Sequence, residues 1–499
     1  MPLPHRSLLL RLGHVSLGVA LANSSGAAEW TTSAGVAPGV TYTDNVCLSA
    51  DDEKGEWIAE VTPDIAVQAN GNRANLDLAG SVNVNSLTDS KLEDLGCNAQ
   101  GFGGNRQQFA PELRGRADAE LLEDWLYIDA NARVDQNEAS PFIKGGGDSL
   151  NTTGNTNTLY NYRLSPYVQR RFKDDALFNL RYTWDQQYNT EDVVGDSSQE
   201  SWQSLIGSVP GTSALTWGIQ GDYSKVDFGD RRNAANNAEN NESELKSAQV
   251  NLGYQLDRVW QVNGYLGEEW NDFVSTNDDI DGSFWDAGVR WTPSTRTTVD
   301  AGTGHRFFGY SPRFAINHRH KRNVFSANYA KTLTYDRNIR AGADDPFPGD
   351  GGELPPGVIE DSSTLSNSPI LDERFTLGYS YQGLRSRLGL SASHSDQTRE
   401  EDGRDSTFRR ASVSLGRNLS RQLNVAGRLS WTEEEPQTYS DITSPINATE
   451  TWRFTLDGTR QLNQDISVTL QYRYTDQQAD NEFNQYKENR ITATIRFEL

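Results

Sequence analysis

Apolar and polar residues alternate along most of the chain. In Ala74-Leu76-Leu78-Gly80-Val82-Val84 the intervening positions are Asn75, Asp77, Ala79, Ser81 and Asn83. The same beat returns in Phe178-Leu180-Tyr182-Trp184, Leu423-Val425-Gly427-Leu429-Trp431 and Ile466-Val468-Leu470-Tyr472-Tyr474. Successive side chains of a strand point to opposite faces, so period two gives one oily face and one wet face. Segments of about ten residues repeated in this way mark a transmembrane β-barrel, in which only alternate positions meet lipid. The expected fold is therefore all-β: a transmembrane antiparallel up-and-down barrel of about 22 strands, the even count of a single-chain bacterial barrel. The strands run from 30–42 and 57–69 through 177–184, 215–223, 386–394, 423–431 and 466–474 to 486–499. They form one domain over 28–499, with no separate plug domain. A soluble propeller would repeat at about 40–50 residues per blade, and no such repeat is present.

Linker lengths support the same reading. Asn70-Gly71-Asn72-Arg73, Leu122-Glu123-Asp124, Asp257-Arg258 and Pro293-Ser294-Thr295-Arg296 are short, whereas 87–108, 136–159, 224–244, 336–373 and 432–448 are long. Outer-membrane barrels have short periplasmic turns and long external loops. The link 308–312 breaks the trend, being short where a long loop is due. All 12 tryptophans fall at expected strand ends, as indoles favour the headgroup level. Trp30, Trp125, Trp217, Trp260 and Trp291 fall at the periplasmic ends, and Trp57, Trp184, Trp202, Trp270, Trp285, Trp431 and Trp452 at the external ends. One feature opposes a closed sheet. Pro38, Pro63, Pro111 and Pro166 each sit mid-strand between apolar residues, and proline lacks the N–H that a ladder needs. The chain ends on an alternating strand, Ile491-Ala493-Ile495-Phe497-Leu499, with leucine where such barrels usually place an aromatic.

Composition fits the barrel. Of 499 residues 35% are hydrophobic, and the mean hydropathy is −0.69. No window approaches the ~18 consecutive apolar residues of a membrane helix. The net charge of −23 excludes nucleic acid as a partner, since phosphate backbones attract Lys and Arg. Residues 1–27 read as a signal peptide: Arg6 and Arg11, an apolar stretch Leu12–Ala22, and small residues Ser25-Gly26-Ala27 for cleavage. Export plus barrel implies the outer membrane of a Gram-negative bacterium. Cys47 and Cys97 are the only cysteines and fall in external loops after strands one and three. An even count in an exported protein favours a disulfide between them, the alternative being two separate thiols.

The segments AEWTTSAGVAPGVTYTDNVCL (28–48), EVTPDIAVQANGNRANL (60–76) and VRWTPSTRTTVDAGTGHRFFG (289–309) resemble a family of outer-membrane proteins associated with PEP-CTERM/exosortase systems, grouped with β-barrel porins. The Thr41–Val46 and Trp291–Thr297 motifs carry the likeness most strongly. The resemblance implies an outer-membrane barrel linked to extracellular polysaccharide, and it supplies no catalytic motif.

The expected lumen carries both signs of charge. Glu112, Arg114, Arg116 and Asp118, then Asp129 and Arg133, and later Arg453, Arg473 and Arg490 fall on the inward face. They read as pore-lining residues that select solutes, or as cross-strand pairs that stabilise the wall. The long segment 336–373, with Asp344, Asp345, Asp350 and Glu353, is the candidate constriction loop. No enzyme is expected: no nucleophile–base spacing stands out, no cofactor is implied and no metal site is assigned. His318 and His320 share a strand face and could hold a metal with His305, but read as interfacial residues. Asn277-x-Asp279-x-Asp281-Gly282 lacks the twelfth-position acid of a calcium loop and reads as a polar turn; Gly302-x-Gly304 carries no nucleotide-binding context. The expected function is a passive pore or conduit for hydrophilic solutes, with exopolysaccharide export implied by the resemblance. The alternative is a structural or anchoring barrel whose loops bind matrix or partner proteins. Expected partners are outer-membrane lipid and lipopolysaccharide, polysaccharide and the barrel-assembly machinery; the oligomeric state stays open.

Spin labels at Leu76 and Asp77 report opposite surroundings if this reading holds: lipid-soluble relaxant reaches the first and water-soluble relaxant the second. Equal accessibility at the two sites would contradict it.

Overall fold

The computed structural model describes residues 28–499 except 89–96, 98–107, 147, 149, 152–154, 174, 192–193, 210, 230–240, 341–365 and 437–447. The signal segment 1–27 lies outside the described residues, as do Asp344, Asp345, Asp350 and Glu353. Twenty-two strands follow one another: β1 (Glu29–Thr43), β2 (Glu56–Asn70), β3 (Ala74–Leu87), β4 (Phe109–Leu122), β5 (Leu126–Glu138), β6 (Thr156–Phe172), β7 (Ala176–Asn189), β8 (Ser197–Gly207), β9 (Leu215–Phe228), β10 (Glu242–Gln255) and β11 (Trp260–Asp272), then β12 (Gly282–Ser294), β13 (Thr297–Arg306), β14 (Gly309–His320), β15 (Asn323–Thr334), β16 (Ile370–Gln382), β17 (Ser386–Arg399), β18 (Asp405–Asn418), β19 (Leu423–Pro436), β20 (Thr449–Gln461), β21 (Ile466–Ala479) and β22 (Tyr486–Glu498). Each pairs antiparallel with the next, and β22 returns to β1, so the sheet is closed. A short helix α1 (Asp336–Arg340) follows β15.

The outer surface carries the apolar half of the alternation: Ile65, Ile206, Ile219, Leu252, Leu266, Leu415 and Leu470 all lie exposed there, as lipid-facing residues must. Trp260 and Trp270 lie on the same face of β11, ten steps apart. At about 3.3 Å per residue and a tilt of about 40° they mark a band about 25 Å tall. Aromatic residues meet across strands at both rims: Trp260 stacks on Trp291 at 5.7 Å, and Trp431 meets Trp452 at 6.4 Å.

Several strands outrun the alternation that reveals them. The runs 177–184, 215–223, 386–394, 423–431 and 466–474 continue as strand to Asn189, Phe228, Arg399, Pro436 and Ala479. Their added residues, such as Asp185-Gln186-Gln187 and Glu433-Glu434-Glu435, are polar on both faces. A strand that has risen above the lipid no longer needs an oily side, so the pattern fades while the ladder persists. Where a long external loop is missing, β13 and β14 join by a tight hairpin through Phe307 and Phe308, with Gly309 at φ +94°.

The mid-strand prolines are resolved by register. A residue in an antiparallel strand aims its N–H and C=O at one neighbour only. Pro38 lies opposite Val61, while the β1–β22 ladder skips residues 37 and 38. Pro63 lies opposite Val36, and the β2–β3 ladder skips 62 and 63. Pro166 lies opposite Ile128, and the β6–β7 ladder skips 165 and 166. Pro111 pairs with Val82, and β4–β5 pairing begins only at Leu113. Each proline therefore points its missing donor at a local break in the sheet.

Cys47 and Cys97 form a disulfide with a Cα–Cα distance of 5.4 Å. It ties the β1–β2 loop to the β3–β4 loop beside Val46 and Leu87.

The β1–β22 seam is braced from within. Arg496 of β22 reaches over β1 to Asp64 of β2 at 2.8 and 3.1 Å, and it passes above Gly35. A Cβ at Gly35 would sit 2.8 Å from Asp64 Oδ1 and 2.9 Å from Arg496 Nη2. Gly35→Val should displace this half-exposed pair, itself worth at most about 1 kcal/mol, and add a clash at a short ladder. The variant should lose its compact, heat-modifiable band on SDS gels at a lower temperature than wild type; an unchanged transition would contradict the bracing role.

Candidate functional site at the loop-closed mouth

Buried polar residues concentrate at the long-loop end of the strands: Thr41 and Thr43 on β1, Asn157 and Asn161 on β6, Asp185 and Gln187 on β7, Gln397 on β17, and Glu488 and Arg490 on β22. Loop residues folded into the lumen cover Asp185, Gln187, Glu488 and Arg490.

The loop between β5 and β6 is shaped locally by Asn155. Its side chain accepts from Ser140 N at 2.9 Å and donates to the carbonyls of Ser140 and Ile143 at 2.9 and 3.0 Å. So shaped, the loop crosses to another sector of the ring. Tyr486 donates to Gly145 O at 2.9 Å, Asn484 donates to Phe142 O at 3.2 Å, and Asn151 donates to Glu488 at 3.1 Å. Phe142 stacks on Phe408 of β18 at 5.9 Å. At the tip Asp148 accepts from Arg473 at 2.7 Å and from Arg490 at 2.5 Å, and Glu488 accepts from Arg490 at 2.9 Å.

Helix α1 crosses in the opposite sense, from β15 to the wall of β5–β10. Arg337, 2% exposed, pairs with Asp185 of β7 at 2.6 Å. It also donates to Ser197 at 3.0 Å and Gln199 at 2.8 Å, while Gln187 donates to its carbonyl at 3.0 Å. Tyr335 packs on Phe228 and shares a hydrogen bond with Ser243 at 3.0 Å; burial pushes its phenol pKa up. Arg340 donates to the carbonyls of Glu138 and Ala139 at 3.2 and 3.0 Å, which joins the two crossings. A third link ties the β11–β12 loop to the β17–β18 loop. Glu400 accepts from Ser275 at 2.6 Å and Asn277 at 3.1 Å, and its carbonyl accepts from Thr276 N at 2.8 Å. The polar turn at Asn277–Gly282 is thus a strut.

The residues expected to line the lumen share its face. Glu112, Arg114, Arg116 and Asp118 lie opposite Ser81, Ala79, Asp77 and Asn75. Asp129 pairs with Arg181 at 2.8 Å, Arg133 with Asp135, and Asp118 accepts from Asn75 at 2.9 Å. Arg473 and Arg490 lie directly opposite one another. The sequence reading missed Asp148, Asp185, Arg337 and Glu400, which bind the loops. Nothing local distinguishes them; only the fold brings Arg337 and Asp185 together across 152 positions. The histidines do not converge: His318 lies opposite Thr297 and His305 opposite Tyr310, at the two ends of one hairpin. Among the described residues no group of three or more His, Cys, Asp or Glu is placed to hold a metal. Gly302, given no role above, makes room for the Arg313 guanidinium, 2.8 Å from where its Cβ would be.

No family model matches the chain, and no curated protein does. Solved structures do. A ferric enterobactin receptor variant of Pseudomonas aeruginosa, in complex with enterobactin, aligns with TM-score 0.53 over 95% of this chain and 82% of its own, at 9% identity. The siderophore receptor PirA of Acinetobacter baumannii aligns with TM-score 0.51 over 94% and 81% at 8% identity. The FrpB iron transporter of Neisseria meningitidis aligns with TM-score 0.50 over 94% and 83% at 10% identity. The protein is an outer-membrane-type barrel. One expectation is overturned by this likeness: the plug-free class. The matching barrels are TonB-dependent receptors, which have plug domains, and a lumen of 22 strands is one that such transporters fill.

Two outcomes test the closure. Asp185→Leu leaves Arg337 buried without its counter-charge, a loss of about 3–5 kcal/mol, against about 0–1 kcal/mol for breaking the exposed Asp52–Lys54 pair. Trypsin should then cut rapidly at Arg337 and Arg340 in intact cells; protection equal to wild type would contradict the anchoring. Burial works against the charge of Asp148, but Arg490 and Arg473 outweigh it and hold the carboxyl at about 2, below its ordinary 3.8. The folded value lies below the unfolded one, so this contribution is complete above about pH 4 and is lost as pH falls towards 2. Amide exchange of the β5–β6 loop, corrected for intrinsic rate, should rise only in that interval; a rise near pH 6 would contradict it.

Proposed function

We propose that the chain is a gated transport barrel for hydrophilic solutes in the outer membrane of a Gram-negative bacterium. The observation that carries this reading is the contrast between the two halves of the lumen. The short-turn half is lined by accessible polar residues such as Gln68, Asn75, Asp77, Arg116 and Asp118. The external half is crossed by the described part of the β5–β6 loop and by α1, held by ion pairs and hydrogen bonds to the wall. Loops and lids are drawn from the part of a fold that opens at least cost, so the obstruction is a gate. A permanently open, passive pore does not fit a mouth crossed in this way.

Polysaccharide is the first solute class to test, because of the family resemblance of segments 28–48, 60–76 and 289–309. An iron chelate of the siderophore type is the second, because of the fold shared with the siderophore receptors. In this reading lipid and lipopolysaccharide surround the apolar band, and the barrel-assembly machinery inserts the alternating strands.

Planar-bilayer recording tests the proposal. Wild type should show rare, brief openings, and the double variant Asp148→Asn, Asp185→Leu should conduct steadily. Silence from both would overturn the transport reading in favour of a structural or anchoring barrel.

A further inference from the structure

The lumen wall built by β19–β22 is rich in arginine. On β4 and β5 acids lie on the same wall as the arginines: Glu112 and Asp118 flank Arg114 and Arg116 on β4, and Arg133, opposite Arg114, pairs with Asp135. Across β19–β22 one cross-strand row reads Arg428, Thr455, Arg473, Arg490. Arg453 lies two residues from Thr455 on β20, opposite Ser430 and Thr475. Paired positions share a face, with diagonal neighbours about 7–8 Å apart, so four guanidinium groups crowd one patch of wall.

The acids nearby are few and engaged. Asp457 accepts from Gln471 at 2.6 Å, and Glu488 is taken by Arg490, Asn151 and Thr43. Among the described residues Arg428 forms no ion pair, and its side chain is exposed to the lumen. The Nε atoms of Arg453 and Arg473 are buried without a hydrogen-bond partner. Unpartnered buried donors are uncommon in folded proteins. Like charges directly opposite one another, as Arg473 and Arg490 are, destabilise a sheet unless an anion lies between them. Here the anion is Asp148, brought in on a loop from another sector of the barrel.

A carboxylate presented to two arginines is also what an acidic solute would offer, since guanidinium groups bind carboxylates in a forked geometry. We propose that the Arg428–Arg453–Arg473–Arg490 wall is a binding site for a carboxylate-bearing saccharide, and that Asp148 is its tethered competitor. The solute's carboxylate takes the place of Asp148 on Arg473 and Arg490, and the β5–β6 loop is released from the wall. Arg428 and Arg453, which among the described residues carry no loop anion, receive neighbouring carboxylates of the same chain. Occupancy of the site and opening of the mouth are then one event. The inference rests on the gated-transport reading and adds the charge of the solute and the device that couples it to the gate.

The test uses the full purified chain, with oligogalacturonate as the acidic probe and cello-oligosaccharide of equal length as the neutral one. Calorimetry in detergent should show oligogalacturonate binding to wild type and no binding of the neutral probe. Asp148→Asn should bind the acidic probe about tenfold more tightly, because the closed loop otherwise reduces the competent fraction. Arg428→Gln with Arg453→Gln should weaken binding at least as much. In bilayers, oligogalacturonate should raise the open time of wild type. Equal binding of the two probes to wild type, which requires no variant to fold, would overturn the site. Equal affinity of wild type and a folded Asp148→Asn would overturn the competition. Either failure is separate from failure of the transport reading, which shows as absence of current from every form of the barrel.

Discussion

Hydrocarbon offers backbone N–H and C=O groups no water to bond, so a sheet that enters it must close on itself. The rest of the molecule follows from that constraint. It sets the alternation, because one face of every strand meets lipid and the other meets the lumen. It sets the seam, where β22 returns to β1 by a short ladder with the Arg496–Asp64 bridge laid across it. It also sets where proline is tolerated. Pro38, Pro63, Pro111 and Pro166 each turn their donor-less nitrogen toward a place where the ladder already lapses.

Above the lipid the constraint relaxes, and other physics takes over. Strands continue with polar residues on both faces, and the described part of the β5–β6 loop and α1 fold inward. There the ion pair Arg337–Asp185 is shielded from water, and Asp148, itself partly exposed, holds the buried Arg490 together with Arg473. Such pairs gain little over a well-packed apolar contact but are costly to break on one side only. That asymmetry suits a gate: it is firm while both partners are present, and it is released when a competing charge satisfies one of them.

The sequence shows the part of the structure that lipid dictates and little of the part that water dictates. Leu76 against Asp77, or Leu470 against Gln471, locates a strand and its faces, and the inward register of Arg114, Arg453 and Arg473 follows from the same parity. The alternation stops short at Trp184, Trp431 and Tyr474 because the residues beyond no longer choose between oil and water, although the strands run on. The loop crossings leave no local trace. Asp148 follows a run of glycines and Arg337 sits in an ordinary polar segment, and their partners lie hundreds of positions away or on the far wall. The three histidines fail as a set because parity says which face a residue takes, not which end of a hairpin it occupies. The absence of a plug was read from segment lengths alone; the likeness to plugged receptors of the same strand number overturns it.

The central claim is that the β5–β6 loop lies across the mouth against the opposite wall in the membrane-embedded protein. The chain has no free cysteine among its described residues, so a Phe142→Cys, Phe408→Cys pair can be oxidised in intact outer membranes without a competing thiol. The rings of these residues lie 5.9 Å apart. Rapid, near-complete cross-linking of the pair, abolished by Asp148→Asn, is the result this account predicts. Failure to cross-link in the resting barrel, while Cys47 and Cys97 remain joined, would contradict it.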